Sequence, residues 1–277
     1  MPKTLPPPPG PPWDTPIAEA PLAFVDLEMT GLDSGRDHVV EVCVERVRGG
    51  VVEDRIHTLV RPPLSGDAVG NQHVHGIVAE ALAGAPPFPE IADRVLSLFD
   101  GAVFVAHGAM WDVAFLEAEL ERAGRKKKVG HWLDTLNLSR RSFVLPRHSL
   151  DALRVHFELD ASRAHRADAD VVALRHVFER CAGVLEPRTP RDLWEVRIAE
   201  GRAREQILAE CTEAVTAAKP VTVVYRPRAR PPEAMEMVLT EVVLGLDPPR
   251  VIGYQLPGRG RRELRADRIL RIERPEP

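Results

Sequence analysis

FVDLEMTGL, residues 24–32, is the stretch from which the rest of the chain is read. Phe24, Val25 and Leu27 make a short apolar, β-prone run between a proline-rich entry and Gly31, which predicts a buried strand. Asp26 and Glu28 interrupt it. Strand side chains alternate with period two, so both carboxylates leave on one face. Two like charges on an apolar strand are unfavourable unless positive charge stands between them. A hard divalent cation held by oxygen ligands meets that need. A lone Asp-x-Glu equally fits an edge strand with its polar face in water, so the decision rests on ligands elsewhere in the chain.

Outward from this strand, HVVEVCVERV (38–47) and VVEDRIHTLV (51–60) are β-rich runs joined by Arg48-Gly49-Gly50, a hairpin signal. Residues 61–77 read as a loop carrying His73 and His75. FPEIADRVLSLFD (88–100) has helical spacing, AVFVAH (102–107) reads as a buried strand, and WDVAFLEAELERAG (111–124) as a helix ended by Gly124. HWLDTLNL (131–138) starts as a strand and runs into a helix. SLDALRVHF (149–157) is a helix with Ser149 as N-cap, and residues 167–182 form the last helix of this part. Three strands followed by alternating helix and strand favour a mixed α/β sheet flanked by helices.

Composition sets bounds. The 277 residues, 44% hydrophobic and 28% charged, suit one large or two ordinary domains. No apolar run reaches the roughly 18 residues of a membrane span. The start, MPKTLPPPPGPPWDTP, lacks the apolar core of a secretory signal, and residues 1–20 read as a disordered, proline-rich tail. Cys43, Cys181 and Cys211 are scattered, with no C-x-x-C, which argues for a cytoplasmic setting and against zinc. Residues 219–277 carry 12 Lys+Arg against 8 Asp+Glu, and residues 1–218 carry 25 against 33. The acidic larger part does not suggest unaided nucleic-acid binding, so phosphate binding there needs metal to offset its charge.

More acids follow. In VAHGAMWDVAFL (105–116), Asp112 falls on the first turn of a helix; alone, it reads as an acid favoured by the helix dipole. In HRADADVVAL (165–174), Asp170 precedes an apolar helix face, with His165 five residues before it. Five residues turn a helix by about 500°, so the two converge only with His165 on the entry loop. Asp168 is taken as solvent-facing. Together these are four carboxylates and one histidine at strand ends and helix starts, where open α/β sheets place ligands. Such a set suits Mg²⁺ or Mn²⁺, and two such ions about 4 Å apart stabilise both attacking and leaving oxygens at a phosphate.

Residues 22–182 resemble the DEDDh 3′–5′ exonucleases, the DnaQ-like family that includes the proofreading epsilon subunit of the bacterial replicative polymerase. FVDLEMTGL matches the first motif, HGAMWDVAFL the second and HRADAD the third. VHGI (74–77) and LDTLNLSRR (133–141) match further family segments. The second motif departs from the family pattern, with Gly108 where Asn is usual and Trp111 where Phe is usual, which puts substrate preference in question. The resemblance implies a ribonuclease H-like fold with a mixed five-stranded sheet. It implies two Mg²⁺ or Mn²⁺ ions on Asp26, Glu28, Asp112 and Asp170, and His165 as general base. It also implies substrate contacts from Met29, Thr30, Gly31, Leu32, His107 and Trp111. The expected reaction is release of nucleoside 5′-monophosphates from nucleic acid 3′ ends in proofreading or repair. Single-stranded DNA is the first substrate to expect, with RNA as the alternative. A DNA polymerase subunit is a candidate partner.

The composition shifts at GVLEPRTPRD (183–192). The expected division is an exonuclease domain over 21–185, a linker and helix over 186–218, and a small β domain over 219–277. VTVVYR (221–226), GYQL (253–256) and LRADRI (264–269) resemble a WYL-type domain, which implies an SH3-like barrel. Arg262, Arg265 and Arg268 would then meet phosphate, or stand on a solvated edge strand. A competing reading is a regulatory nucleotide- or nucleic-acid-binding module without catalysis. The complete acid set argues against it, because a pure binder needs no metal ligands. Lys126–Lys128 and Arg140-Arg141 are placed to track a nucleic-acid backbone or to stand as a solvated loop and helix end, the solvated reading being preferred for the lysines.

Overall fold

The computed structural model describes residues 5–63, 70–227, 232–246 and 248–273, with side chains outside 196–204. Two compact units are present, Met1–Val144 with His148–Arg197, and Leu145–Arg147 with Ile198–Pro277. The sheet of the first unit contains β1 (Leu22–Met29), β2 (Val39–Arg48), β3 (Val51–Leu59), β4 (Val103–Ala106) and β5 (Trp132–Asp134), in the order β3-β2-β1-β4-β5. β1 to β3 form an antiparallel meander, and β4 and β5 add in parallel. Gly49 and Gly50 turn the hairpin with φ of 55° and 77°, a left-handed pair that glycine adopts without Cβ strain.

The helices are α1 (Gln72–His75), α2 (Ala79–Leu82), α3 (Phe88–Phe99), α4 (Met110–Arg122), α5 (Thr135–Ser142), α6 (Leu150–His156), α7 (Ala167–Leu185) and α8 (Pro190–Ala217). Ser149 caps α6 as expected, accepting from the Ala152 amide at 3.3 Å. The two faces of β1 meet different partners. Ala23, Val25 and Leu27 join Phe88, Val95, Phe115 and Leu116 of α3 and α4 in the main core. Burying one such phenylalanine contributes about 1.5–3 kcal/mol. Phe24, Asp26 and Glu28 share the opposite face with their register partners Glu45, Cys43 and Glu41. There α7 packs, with the Phe178 ring edge-on to Phe24 at 5.3 Å and Arg175 donating to Glu45 at 2.8 Å.

Several expectations change. Residues 5–20 do not behave as a free tail: Trp13 is buried and lies 6.1 Å from the His131 ring. Arg191 donates to the Pro7 and Pro8 carbonyls at 2.9 and 2.8 Å and pairs with Asp14. Extended proline segments leave their carbonyls open as acceptors, and a guanidinium fork uses them. The expected loop at 61–77 includes α1; its residues 64–69 lie outside the described residues. The linker at 183–192 shrinks to 186–189, because α7 reaches Leu185 and Pro190 opens α8.

In the second unit, β6 (Val221–Tyr225), β7 (Glu233–Val243), β8 (Arg250–Gln255), β9 (Gly260–Arg265) and β10 (Ile269–Glu273) form an antiparallel sheet in the order β10-β6-β7-β8-β9. The last strand returns beside the first, as in a small all-β domain. Cys211 and Ala214 of α8 join its core with Val223, Met237 and Leu239. A 3-10 turn over Ala266–Arg268 separates β9 from β10.

Candidate active site

Strand β1 carries Asp26 and Glu28, and α4 carries Asp112, buried on its first turn. Gly108, two residues past β4, has φ 75° and donates its amide to Asp134 Oδ1 at 2.9 Å, which sets the entry of α4. α7 carries Asp170 on its first turn. His165 lies before α7 with φ 62°, so the chain turns there and the side chain does not follow the helix. The expected split of His165 onto the entry loop and Asp170 onto the helix holds. Ligand atoms of Glu28, His165 and Asp170 lie within 4.8 Å of one another. The His165 amide donates to Asp170 Oδ1 at 3.2 Å, and His165 Nε2 stands 3.4 Å from Asp151 Oδ2.

Asp26 and Asp112 join this cluster through charge. Burial, then the charges of Asp170, Asp112 and Glu28, push the Asp26 carboxyl well above its usual range. Burial, with Asp170 and Glu41 adding, raises Glu28 to about 8. Asp112 is raised chiefly by burial. Asp170 is raised by burial, with Arg154 opposing. Acids that disfavour one another's ionised form fit a cationic ligand. The chemistry of the donors agrees. Cys43, the register partner of Asp26, is pushed by burial up to about 12 and stays a neutral thiol, leaving carboxylates and one imidazole for a hard ion.

A second cluster, Glu41, His57 and Asp168, could also hold a metal by geometry. Protein cations already serve it. Arg166 grips Glu41 at 2.8 and 3.0 Å, and His57 reaches it at 2.8 Å. Burial alone would raise Glu41, but these donors with the Ala167 amide hold it below its usual value. Asp168 does not face solvent as expected: its side chain is 14% exposed and pairs with Arg163 at 2.8 Å.

The expected substrate residues separate into two groups. Leu32, 70% exposed, and Trp111, 43% exposed, present apolar surface. Met29 packs partly into the core. Thr30 is buried; its hydroxyl accepts from the His38 amide at 3.0 Å and reaches Asp37 at 3.3 Å, which pins the loop after β1. A Cβ at Gly31 would meet the Asp37 carboxylate, which would have to swing aside to admit it. His107 departs from its expected role. Its ring nitrogens meet Thr135 Oγ1 and the His148 carbonyl, both at 2.9 Å, and burial lowers it to about 4. A neutral imidazole with both nitrogens engaged ties β4 to α5 and the segment before α6.

Arg154 and Asp151, both of α6, were not singled out in the sequence. Arg154 had a signal: Leu150, Leu153, Arg154 and Phe157 make one helix stripe, and a charge on such a stripe is buried only for a reason.

Comparison with known proteins bears on the family and the fold. Over 167 residues the chain is 28% identical to the PolC-type DNA polymerase III of Thermotoga maritima, covering 60% of this chain and 12% of that protein. Over 157 residues it is 33% identical to the 3′–5′ exonuclease DinG of Staphylococcus epidermidis, covering 54% of this chain and 17% of the relative. The chain therefore matches under a fifth of the length of either protein. Among solved structures, the zinc-bound complex of Escherichia coli exonuclease I with single-stranded DNA superposes with a TM-score of 0.55 at 17% identity, over 86% of this chain and 55% of that one. That likeness shows the fold. The exonuclease model of the RNase_T family matches residues 23–178, more than half of the chain. With the motifs in order on a ribonuclease H-like sheet, this chain belongs to the RNase_T exonuclease family.

Proposed function

We propose that the chain hydrolyses nucleic acid from its 3′ end, releasing nucleoside 5′-monophosphates. Asp26, Glu28, Asp112 and Asp170 would hold two Mg²⁺ or Mn²⁺ ions, and His165 would act as general base. The observation that carries this reading is the meeting of Glu28, His165 and Asp170 within 4.8 Å, with the half-buried Asp26 and the buried Asp112 coupled to them by charge. Bound divalent cations supply charge for the scissile phosphate and its leaving oxygen. The chain's own groups do the rest. His165 takes a proton from the attacking water, and Asp151 orients its ring. The new phosphorus–oxygen bond forms as the bond to the preceding 3′ oxygen breaks. Leu32 and Trp111 offer apolar surface for the terminal base.

DNA is favoured over RNA because several of the matched relatives are DNA polymerases of PolC type, and single-stranded DNA is the first substrate to test. The PolC likeness also motivates a polymerase partner. The domain division at 185 and 219, and the WYL-like character of residues 219–277, remain part of this reading and rest on sequence. No described helix is long and apolar enough to cross a membrane. The test is incubation of matched DNA and RNA oligonucleotides with Mg²⁺ or Mn²⁺, with products weighed by mass spectrometry. Stepwise 5′-mononucleotides from the 3′ end, absent with Asp170→Ala, are expected. Intact oligomers under every condition, or equal cleavage by Asp170→Ala, would refute it.

A further inference from the structure

A buried cation stands at the acid cluster that the exonuclease reading does not use. Arg154 of α6 is 0% exposed. Its Nη2 donates to Asp170 Oδ1 at 2.8 Å, while among the described residues its Nε and Nη1 find no hydrogen-bond partner. A fully buried guanidinium with two donors unpaired by the described residues is costly, so its position is not explained by its own hydrogen bonding. The neighbouring carboxylates offer another explanation. Asp26 and Glu28 feel the charge of Asp170, and Asp112 feels that of Glu28. Among the described residues, Arg154 is the cation hydrogen-bonded to one of these four acids. It shares Asp170 Oδ1 with the His165 amide, and no described hydrogen bond reaches Oδ2.

We propose that Arg154 is a resident countercation of the acid cluster: it fixes Asp170 with one oxygen turned to the ligand site, holds the cluster together without metal, and weakens its grip on divalent cations. This rests on the reading of Asp170 as a metal ligand. Two effects oppose each other in the affinity. Fixing Asp170 favours binding by sparing the entropy of ordering one short side chain. A like charge beside an incoming divalent ion disfavours it, and in a site sheltered from water that repulsion is the larger effect. Arg154 is thus a positioning residue with an electrostatic cost, which makes metal occupancy depend on metal concentration.

The test is calorimetric titration of Mn²⁺ into the metal-free full chain, with melting temperatures measured in EDTA. Arg154→Met is expected to melt lower than the wild type without metal, yet bind Mn²⁺ at least tenfold more tightly. Arg154→Lys, which keeps the charge, is expected to return the affinity toward wild type. A purely structural arginine would weaken both properties on removal, so unchanged or weaker Mn²⁺ binding by Arg154→Met overturns the proposal while leaving the exonuclease reading intact. A wild type that binds no divalent cation overturns both. Should Arg154→Met not fold, two variants that keep Arg154 decide. In EDTA, Asp26→Asn is expected to melt higher than wild type because repulsion is relieved, and Asp170→Asn lower because Arg154 loses its partner. Shifts in the same direction overturn the proposal.

Discussion

Arg166 holds Glu41 through two bonds, Nη2 to Oε1 at 2.8 Å and Nε to Oε2 at 3.0 Å, which tie the start of α7 to the start of β2. Glu41 is the register partner of Glu28, so this grip also sets where α7 presents Asp170 against the β1 acids. Removing Arg166 leaves a fully buried carboxylate with only His57 and the Ala167 amide. Arg166→Ala is expected to cost about 3 kcal/mol, the low end for unpairing a buried charge, because those two donors remain. Urea unfolding in EDTA checks this; a loss within about 0.5 kcal/mol, the range of ordinary surface substitutions, would count against it.

The acid cluster makes metal-free stability depend on pH. Glu28 is raised to about 8 and Asp26 well above its usual range, both first by burial. A carboxyl raised in the folded state contributes fully below its ordinary value, and that stability is lost as pH rises through the folded value. Each group costs about 1.4 kcal/mol per pH unit over which only the unfolded state is ionised. In EDTA the melting temperature is therefore expected to fall as pH rises from 7 to about 8, above the range where His107 titrates and up to the folded Glu28 value. Saturating Mg²⁺ or Mn²⁺ should flatten the fall. A flat EDTA profile would show that the acids do not crowd one another.

Gly31 is bound to its position by Asp37. The Asp37 carboxylate accepts the Asp33 amide at 2.8 Å and stands where an alanine Cβ would go. Gly31→Ala must displace it and open the loop that carries Leu32. A loss of about 1–3 kcal/mol is expected, the usual cost of inserting a methyl group into filled space, with weaker oligonucleotide binding by anisotropy. Adding Asp37→Ala should recover part of the stability. Additive losses in the double variant would place the cause elsewhere.

His165→Ala should reduce turnover by roughly 10²–10⁴-fold, the usual worth of a positioned general base. Mn²⁺ titration of that variant should still show binding through the carboxylates. Loss of binding alongside turnover would instead make His165 a ligand, as its place within 4.8 Å of Glu28 and Asp170 also permits.

The acids were legible because each carries a local pattern. Asp26 and Glu28 alternate on an apolar strand, and Asp112 and Asp170 sit on the first turns of helices with clear apolar faces. Roles decided by distant partners were not legible in this way. Nothing near His107 in the chain shows that Thr135 and the His148 carbonyl will occupy both ring nitrogens. Nothing near Asp168 shows that its side chain will be mostly covered. Trp13 is buried because His131 and Arg191 lie far along the sequence and close in space.

Periodicity, punctuation and motif order in the chain alone determined the hairpin, the alternation of helix and strand, the small β unit and the choice of candidate acids, since each depends on residues a few positions apart. Only the tertiary structure decided how the charge among those acids is balanced. Arg154 reaches Asp170 across 16 positions and Arg166 reaches Glu41 across 125. Electrostatic energy depends on separation through space and on exclusion of water, and both are set when the elements pack.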